Sequence, residues 1–350
     1  MARAQRNFLD HLHAPAVSPR ALHPLTTLGL GFAALTCLGV LLVTGLTLFL
    51  YYVPEQQEGA YERILHITTT LHFGALVRNL HFLAANALVI LAVLHLSRVF
   101  LTGSYRGRWL NWCYGLFLLL LILAANFTGY LLPWDQISYW AIKVGSSLVG
   151  YYPLIGPVFQ TFLLGGEEIG PETLPRAFAL HAGAIPLSML ALSALHLWRI
   201  RKDGGLAAAS EEPDDKLPAA PWLYRAEGAV ALLTLAVLLV LALFVDAPIY
   251  ERADPLHPPN PARAPWYFVG VQEMVSHSAF LGGVVAPTLI ALFLLLAPLL
   301  DRSHAPGGRW FPRERGWLNL LFLAVLLSQI VFIIVGQWFR TSNWQLHIPF

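Results

Sequence analysis

The chain has 350 residues, of which 57% are hydrophobic and only 12% charged, with a formal net charge of +2 and a mean hydropathy of +0.60. Soluble domains carry about 25% charged residues, so this composition excludes an ordinary aqueous protein, and its hydrophobicity excludes intrinsic disorder. The small net charge and the lack of a basic block exclude a nucleic-acid binder. Two cysteines, Cys37 and Cys113, make neither a disulfide framework nor a metal cluster.

Residues 1–26 form a polar leader containing His11, His13 and Pro15. A full-length apolar span follows it, so it is expected to lie on the membrane surface as a short helix rather than to be a cleaved signal. Seven apolar runs are long enough to cross a bilayer core of roughly 30 Å as helices: Leu28–Tyr52, Leu76–Leu101, Trp112–Leu132, Ala177–Ile200, Gly228–Val245, Leu281–Leu300 and Trp317–Trp338. The fold class is therefore an all-α membrane protein. A small, acidic, proline-containing linker, 204–224, separates a four-helix unit (27–203) from a three-helix unit (225–350).

With an odd number of spans the termini lie on opposite sides. About two thirds of the 22 Lys and Arg residues flank the N-terminal side. The positive-inside rule then predicts a cytoplasmic N-terminus and an outer C-terminus. Two outer connections are long, Pro133 to Arg176 and Asp246 to Phe280, and long connections usually carry function.

His81 and His95 fall in the second span, His181 and His196 in the fourth. Fourteen helical steps return to within about 40° of the same face and fifteen to within about 60°, with roughly 21 Å of rise between the two histidines on a helix. Two such helices side by side present two imidazole pairs at two depths. Ionisable groups inside a membrane are costly and are functional candidates. Neutral imidazole ligates haem iron, and two separate pairs suit two b-type haems better than one four-ligand zinc or copper cage. Gly31 and Gly45 in the first span, and Gly115 and Gly129 in the third, share the 14-residue period. They offer notches at the same two depths, since glycine allows close approach.

These residues and their surroundings resemble cytochrome b of the quinol–cytochrome c oxidoreductases, especially its chloroplast-type split form. GLGFAALTC…TGLTLFLYY resembles the first helix, LVRNLHFLAANALVILAVLHLSRVFLTG the second, GYLLPWDQISYWAIKVG the third helix with its loop, and TLPRAFALH…ALHLWRIRKDGG the fourth. The 15-residue step from His181 to His196 is the chloroplast-type spacing, and the last three spans look like the separate three-helix subunit, here fused. The resemblance implies a four-helix haem-binding bundle plus three further helices. His81 and His181 would bind the low-potential haem on the outer side, and His95 and His196 the high-potential haem on the cytoplasmic side. Arg78, Arg98 and Arg176 would pair with haem propionates or anchor the interface.

In that family, quinol is oxidised between the third-helix loop and a Pro-Glu-Trp-Tyr motif. Gly129 to Trp134, including Pro133, resembles the first element; Ala264-Pro265-Trp266-Tyr267-Phe268 stands for the second, with Pro265 in place of Glu. Proline cannot accept a proton from quinol, so Glu273, or else His277, is expected to replace the missing carboxylate near Tyr267. The chloroplast-type form attaches a further c-type haem through a cysteine at a position held here by Gly29, so no covalent haem is expected. That leaves a cytoplasmic quinone-reduction pocket, expected to be lined by His23, Arg199 and Asp203.

The function implied is a dihaem subunit that passes electrons from outer quinol through two haems to inner quinone, coupled to proton translocation. Its implied partners are a Rieske-type iron–sulfur protein and a c-type cytochrome, within a homodimeric complex of a bacterial inner membrane. Two rivals remain open: a dihaem membrane anchor for a dehydrogenase or multihaem partner, without bifurcation of electrons, and a transporter relaying protons through its histidines.

Overall fold

A lipid-exposed backbone has no water to bond, so a spanning segment must close its hydrogen bonds internally. The computed structural model describes residues 15–55, 59–207, 216–304 and 307–340. Among these, seven helices are long and apolar enough to cross a membrane. They are α1 (Leu30–Phe49), α3 (Gly74–Leu101), α4 (Trp109–Leu131), α7 (Thr173–Lys202), α8 (Ala219–Ala242), α10 (Leu281–Leu300) and α11 (Arg313–Phe339). Shorter helices fill the connections: α2 (Ala60–Thr69), α5 (Gln136–Gly150), α6 (Gly156–Leu164) and α9 (Trp266–His277). Six of the seven spans match the hydropathy expectation to within a few residues.

The fifth span begins earlier than expected. Residues 219–227 include Arg225 and Glu227, which depress hydropathy but are good helix formers, so α8 starts at Ala219. Just before it, Leu217–Pro218 pairs antiparallel with Ala16–Val17. The linker expected over 204–224 is thus cut short and tied to the leader. The leader itself is no single surface helix. Ser18 caps one turn, Pro19–Leu22, and the His23-Pro24 step breaks the chain into a second, Pro24–Thr27. His11 and His13 lie outside the described residues.

Two helix pairs form the heart of the bundle, α1 on α3 and α4 on α7. Cys37, Ala84, Leu88, Ile122, Ile185 and Met189 fill the apolar layer between them. α7 contains one π turn, Leu180–Ala184, where Ile185 N–H bonds back to the Leu180 carbonyl. The two long connections meet. Asp135 caps α5 through Ser138 N–H (2.9 Å) and accepts from Tyr250 N–H (3.1 Å), while Gln136 N–H donates to Glu251 O (2.7 Å). Arg78 and Asn79, at the start of α3, bond the carbonyls of Ala247 and Pro248 and the Asp246 carboxylate, fixing the exit of α8.

Candidate functional site

α3 and α7 bring the four histidines together in pairs. The His81 and His181 ring centroids are 6.1 Å apart with planes at 72°, and those of His95 and His196 are 6.4 Å apart at 81°. The π turn explains how a 15-residue step on α7 matches a 14-residue step on α3. Widening one turn from i→i+4 to i→i+5 absorbs the extra residue, so His181 and His196 keep the relative phase of His81 and His95.

Neighbours decide which nitrogen of each ring is available. His181 Nδ1 lies 2.9 Å from the Ala125 carbonyl, which can only accept, so Nδ1 carries the proton and Nε2 keeps its lone pair. His81 Nδ1 lies 2.9 Å from Thr44 Oγ1, whose own proton goes to Val40 O at 2.7 Å. That hydroxyl therefore accepts from His81, and Nε2 is again free. His196 Nδ1 is buried without a hydrogen bond, although the Asn111 carbonyl lies on its side of the ring.

Each of the four periodic glycines backs one ring. A Cβ at Gly129 would stand 2.5 Å from His181 Cε1, at Gly31 3.1 Å from His95 Cε1, at Gly45 3.2 Å from His81 Cε1, and at Gly115 3.6 Å from His196 Cε1. The glycines are thus seats for imidazoles.

Beside His95 and His196 opens a cavity of about 670 Å³, within the usual range for small-molecule sites. Its polar lining includes Arg98, Ser104, Arg108, Asn111 and Glu227. Arg98 is buried there and donates to the carbonyls of Thr26 (2.9 Å) and Ala207 (3.1 Å). The three residues expected to line this pocket do not. His23 caps a helical turn by accepting from Leu25 N–H (3.3 Å). Arg199 pairs with Asp203 at 3.0 Å one turn along α7, while their neighbours Leu197 and Ile200 form the wall. Glu227 stands just before the apolar run Gly228–Val245, and only the earlier start of α8 brings it into the span.

At the other end, α9 starts at Pro265, and Trp266 donates its indole N–H to Asn86 Oδ1 of α3 at 2.7 Å. Tyr267 packs against the central apolar layer, and burial pushes its phenol pKa up, so it stays protonated. Trp134 is instead a core residue against Tyr139. Glu273 faces away: it is buried on the α11 side, its two oxygens held by Arg340 Nε (3.1 Å) and a terminal guanidinium nitrogen (3.2 Å), with His277 Nε2 at 3.4 Å. Both carboxylate oxygens are thus engaged by Arg340 on the α11 side and turned away from Tyr267, so the expected substitution for the motif Glu does not fit this geometry. Arg78 is spent on backbone carbonyls and Arg176 donates to Phe162 O (3.2 Å).

Seven spans with two facing imidazole pairs define a class, the polytopic membrane proteins with paired intramembrane histidines at two depths. Residues 17–204 match the family model described as "Cytochrome b/b6/petB", and residues 252–347 that described as "Cytochrome b(C-terminal)/b6/petD". The chain belongs to the cytochrome b family, with both parts fused in one polypeptide. It is 29% identical over 328 residues to the cytochrome b of Micropechis ikaheca, covering 91% of this chain and 84% of that protein. It also resembles a solved chain of "Hyperthermophilic respiratory Complex III", with a TM-score of 0.79, 27% identity, and coverage of 91% of this chain and 85% of that one. The protein is thus an integral membrane cytochrome b, a subunit of a quinol oxidoreductase complex, and its family implies b-type haems.

Proposed function

We propose that this chain is the dihaem subunit of a quinol:cytochrome c oxidoreductase. It carries electrons from a quinol site beside α9 to a quinone-reduction site in the His95/His196 cavity. The observation that carries this reading is the two facing imidazole pairs. Two metal–imidazole bonds of about 2 Å each, plus the half-width of each ring, come to roughly 6 Å, and the ring centroids stand 6.1 and 6.4 Å apart. His81 and His181 would hold one haem and His95 and His196 the other. When bound, the haems supply one-electron relays whose iron chemistry is their own.

The protein's residues provide the rest. Thr44 and the Ala125 carbonyl hold the ligand tautomers. Gly29 carries no thiol, so no covalent haem is proposed at that position. At the quinol site, protonated Tyr267 donates a hydrogen bond to the bound ring oxygen. At the cavity, Glu227 delivers a proton to the quinone, while Arg98 and Arg108 stabilise negative charge developing on its oxygens. The partners are a Rieske-type protein and a c-type cytochrome in a homodimeric complex. The cavity faces the cytoplasm of a bacterial inner membrane, so protons enter there and leave opposite.

One observation favours the membrane-anchor reading: with Pro265 at the motif and Glu273 committed to Arg340, neither position presents a free carboxylate to quinol. A potentiometric titration of the purified complex, followed by b-type absorbance, tests the main reading. Two one-electron steps are expected, and an oxidant pulse to the quinol-reduced complex should transiently reduce the b haems. A single step or none removes the dihaem reading. Two steps without pulse-induced reduction leave an anchor.

A further inference from the structure

The two imidazole pairs stand in different electrostatic surroundings. At one end both Nδ1 atoms have acceptors, Thr44 Oγ1 for His81 and the Ala125 carbonyl for His181, each at 2.9 Å. At the other, the Asn111 carbonyl lies on the Nδ1 side of His196, and the cationic Arg98 and Arg108 line the adjoining cavity. An acceptor on Nδ1–H pushes electron density through the ring to Nε2 and makes it a more basic metal ligand. A more basic ligand favours the oxidised, more positive metal, whereas nearby fixed cations favour the reduced one.

We infer that Thr44 is a positioning and tuning residue. By accepting the Nδ1 proton of His81 it fixes the ring's tautomer and lowers the reduction potential of the His81/His181 site, the one expected from the resemblance to be the lower of the two. This rests on the dihaem reading. The hydroxyl fits this role because its single proton already bonds Val40 O at 2.7 Å, so it has only an acceptor to offer. It also sits beside Gly45, the residue that seats the same ring.

The test is a potentiometric titration of the purified complex carrying Thr44→Val, which keeps the shape of the side chain and removes the acceptor. The lower-potential step should rise, by about tenfold in its oxidised-to-reduced equilibrium, equal to about 59 mV for a one-electron couple. The upper step should stay in place. Thr44→Ser restores the hydroxyl and should return the lower step to its wild-type position, which a purely packing role of the methyl group would not do. Thr44→Ala gives the same reading if the valine variant fails to accumulate. A lower step unmoved in both acceptor-less variants, or movement of the upper step instead, overturns the inference while leaving two haems in place. A wild-type protein without two b-type steps removes the dihaem reading, and this inference with it.

Discussion

A methyl group's worth of space decides the site at the scale of single residues. At Gly129 an added Cβ would stand 2.5 Å from His181 Cε1, closer than real side chains tolerate, whereas at Gly39 on α1 nothing lies within 4 Å. Gly129→Val should therefore displace the His181 ring and lower the b-type absorbance of membranes to about half. Gly39→Ala should leave that absorbance unchanged and favour the helix by about 1 kcal/mol. The four histidines and four glycines were legible because a shared period of 14 or 15 on apolar helices has few other uses. What the glycines touch was not legible, since a notch looks alike whether a ring or a porphyrin fills it. Polar residues of the cavity were missed for a similar reason. Arg108 and Asn111 come from one stretch of chain and Glu227 from another, and only packing shows that they line one space. His23, Arg199 and Asp203 lie close in sequence to the cavity wall, but their side chains are spent on a cap and an ion pair.

At the scale of elements, the π turn in α7 carries the registration. Deleting Gly183, which has no neighbour within 4 Å of a built Cβ, should convert that turn to α-helix. The step from His181 to His196 then becomes 14 residues with the phase unchanged. Deleting Ala85 from α3, which is α-helical from Gly74 to Leu101, turns one histidine about 100° from the other. Haem content of the two variant membranes checks this: retention of both haems in the first and loss in the second are expected. Equal loss in both would mean that the π turn does something other than absorb a residue. Spacing alone could not reveal the π turn, because 15 α-helical steps also return near the same face. The fate of Glu273 was equally hidden. Its sequence neighbours point to the quinol loop, yet helical phase turns it to Gly336 and Arg340 on the last span. There it ties α9 to the end of the last span through Arg340.

At the scale of the whole molecule, hydropathy gave all seven spans, because length and apolar content are all that a bilayer demands. It could not show how the fused halves are joined. Asp301, ending α10, accepts from Arg315 Nε (2.7 Å) and Tyr105 OH (3.0 Å), and the fully buried Arg315 guanidinium also donates to the Phe100 carbonyl (2.9 Å). Breaking a buried pair strands a charge, so this cluster fastens the C-terminal unit to the turn after α3. That same turn supplies Ser104 and Arg108 to the cavity. The halves thus share that cavity, and the proposed function requires two irons held one above the other within them. Electron paramagnetic resonance of the oxidised purified protein tests this most directly. Ring planes at 72° and 81° predict two low-spin ferric signals of the strongly anisotropic kind given by nearly perpendicular imidazoles. A single such signal, or only high-spin iron, would contradict it.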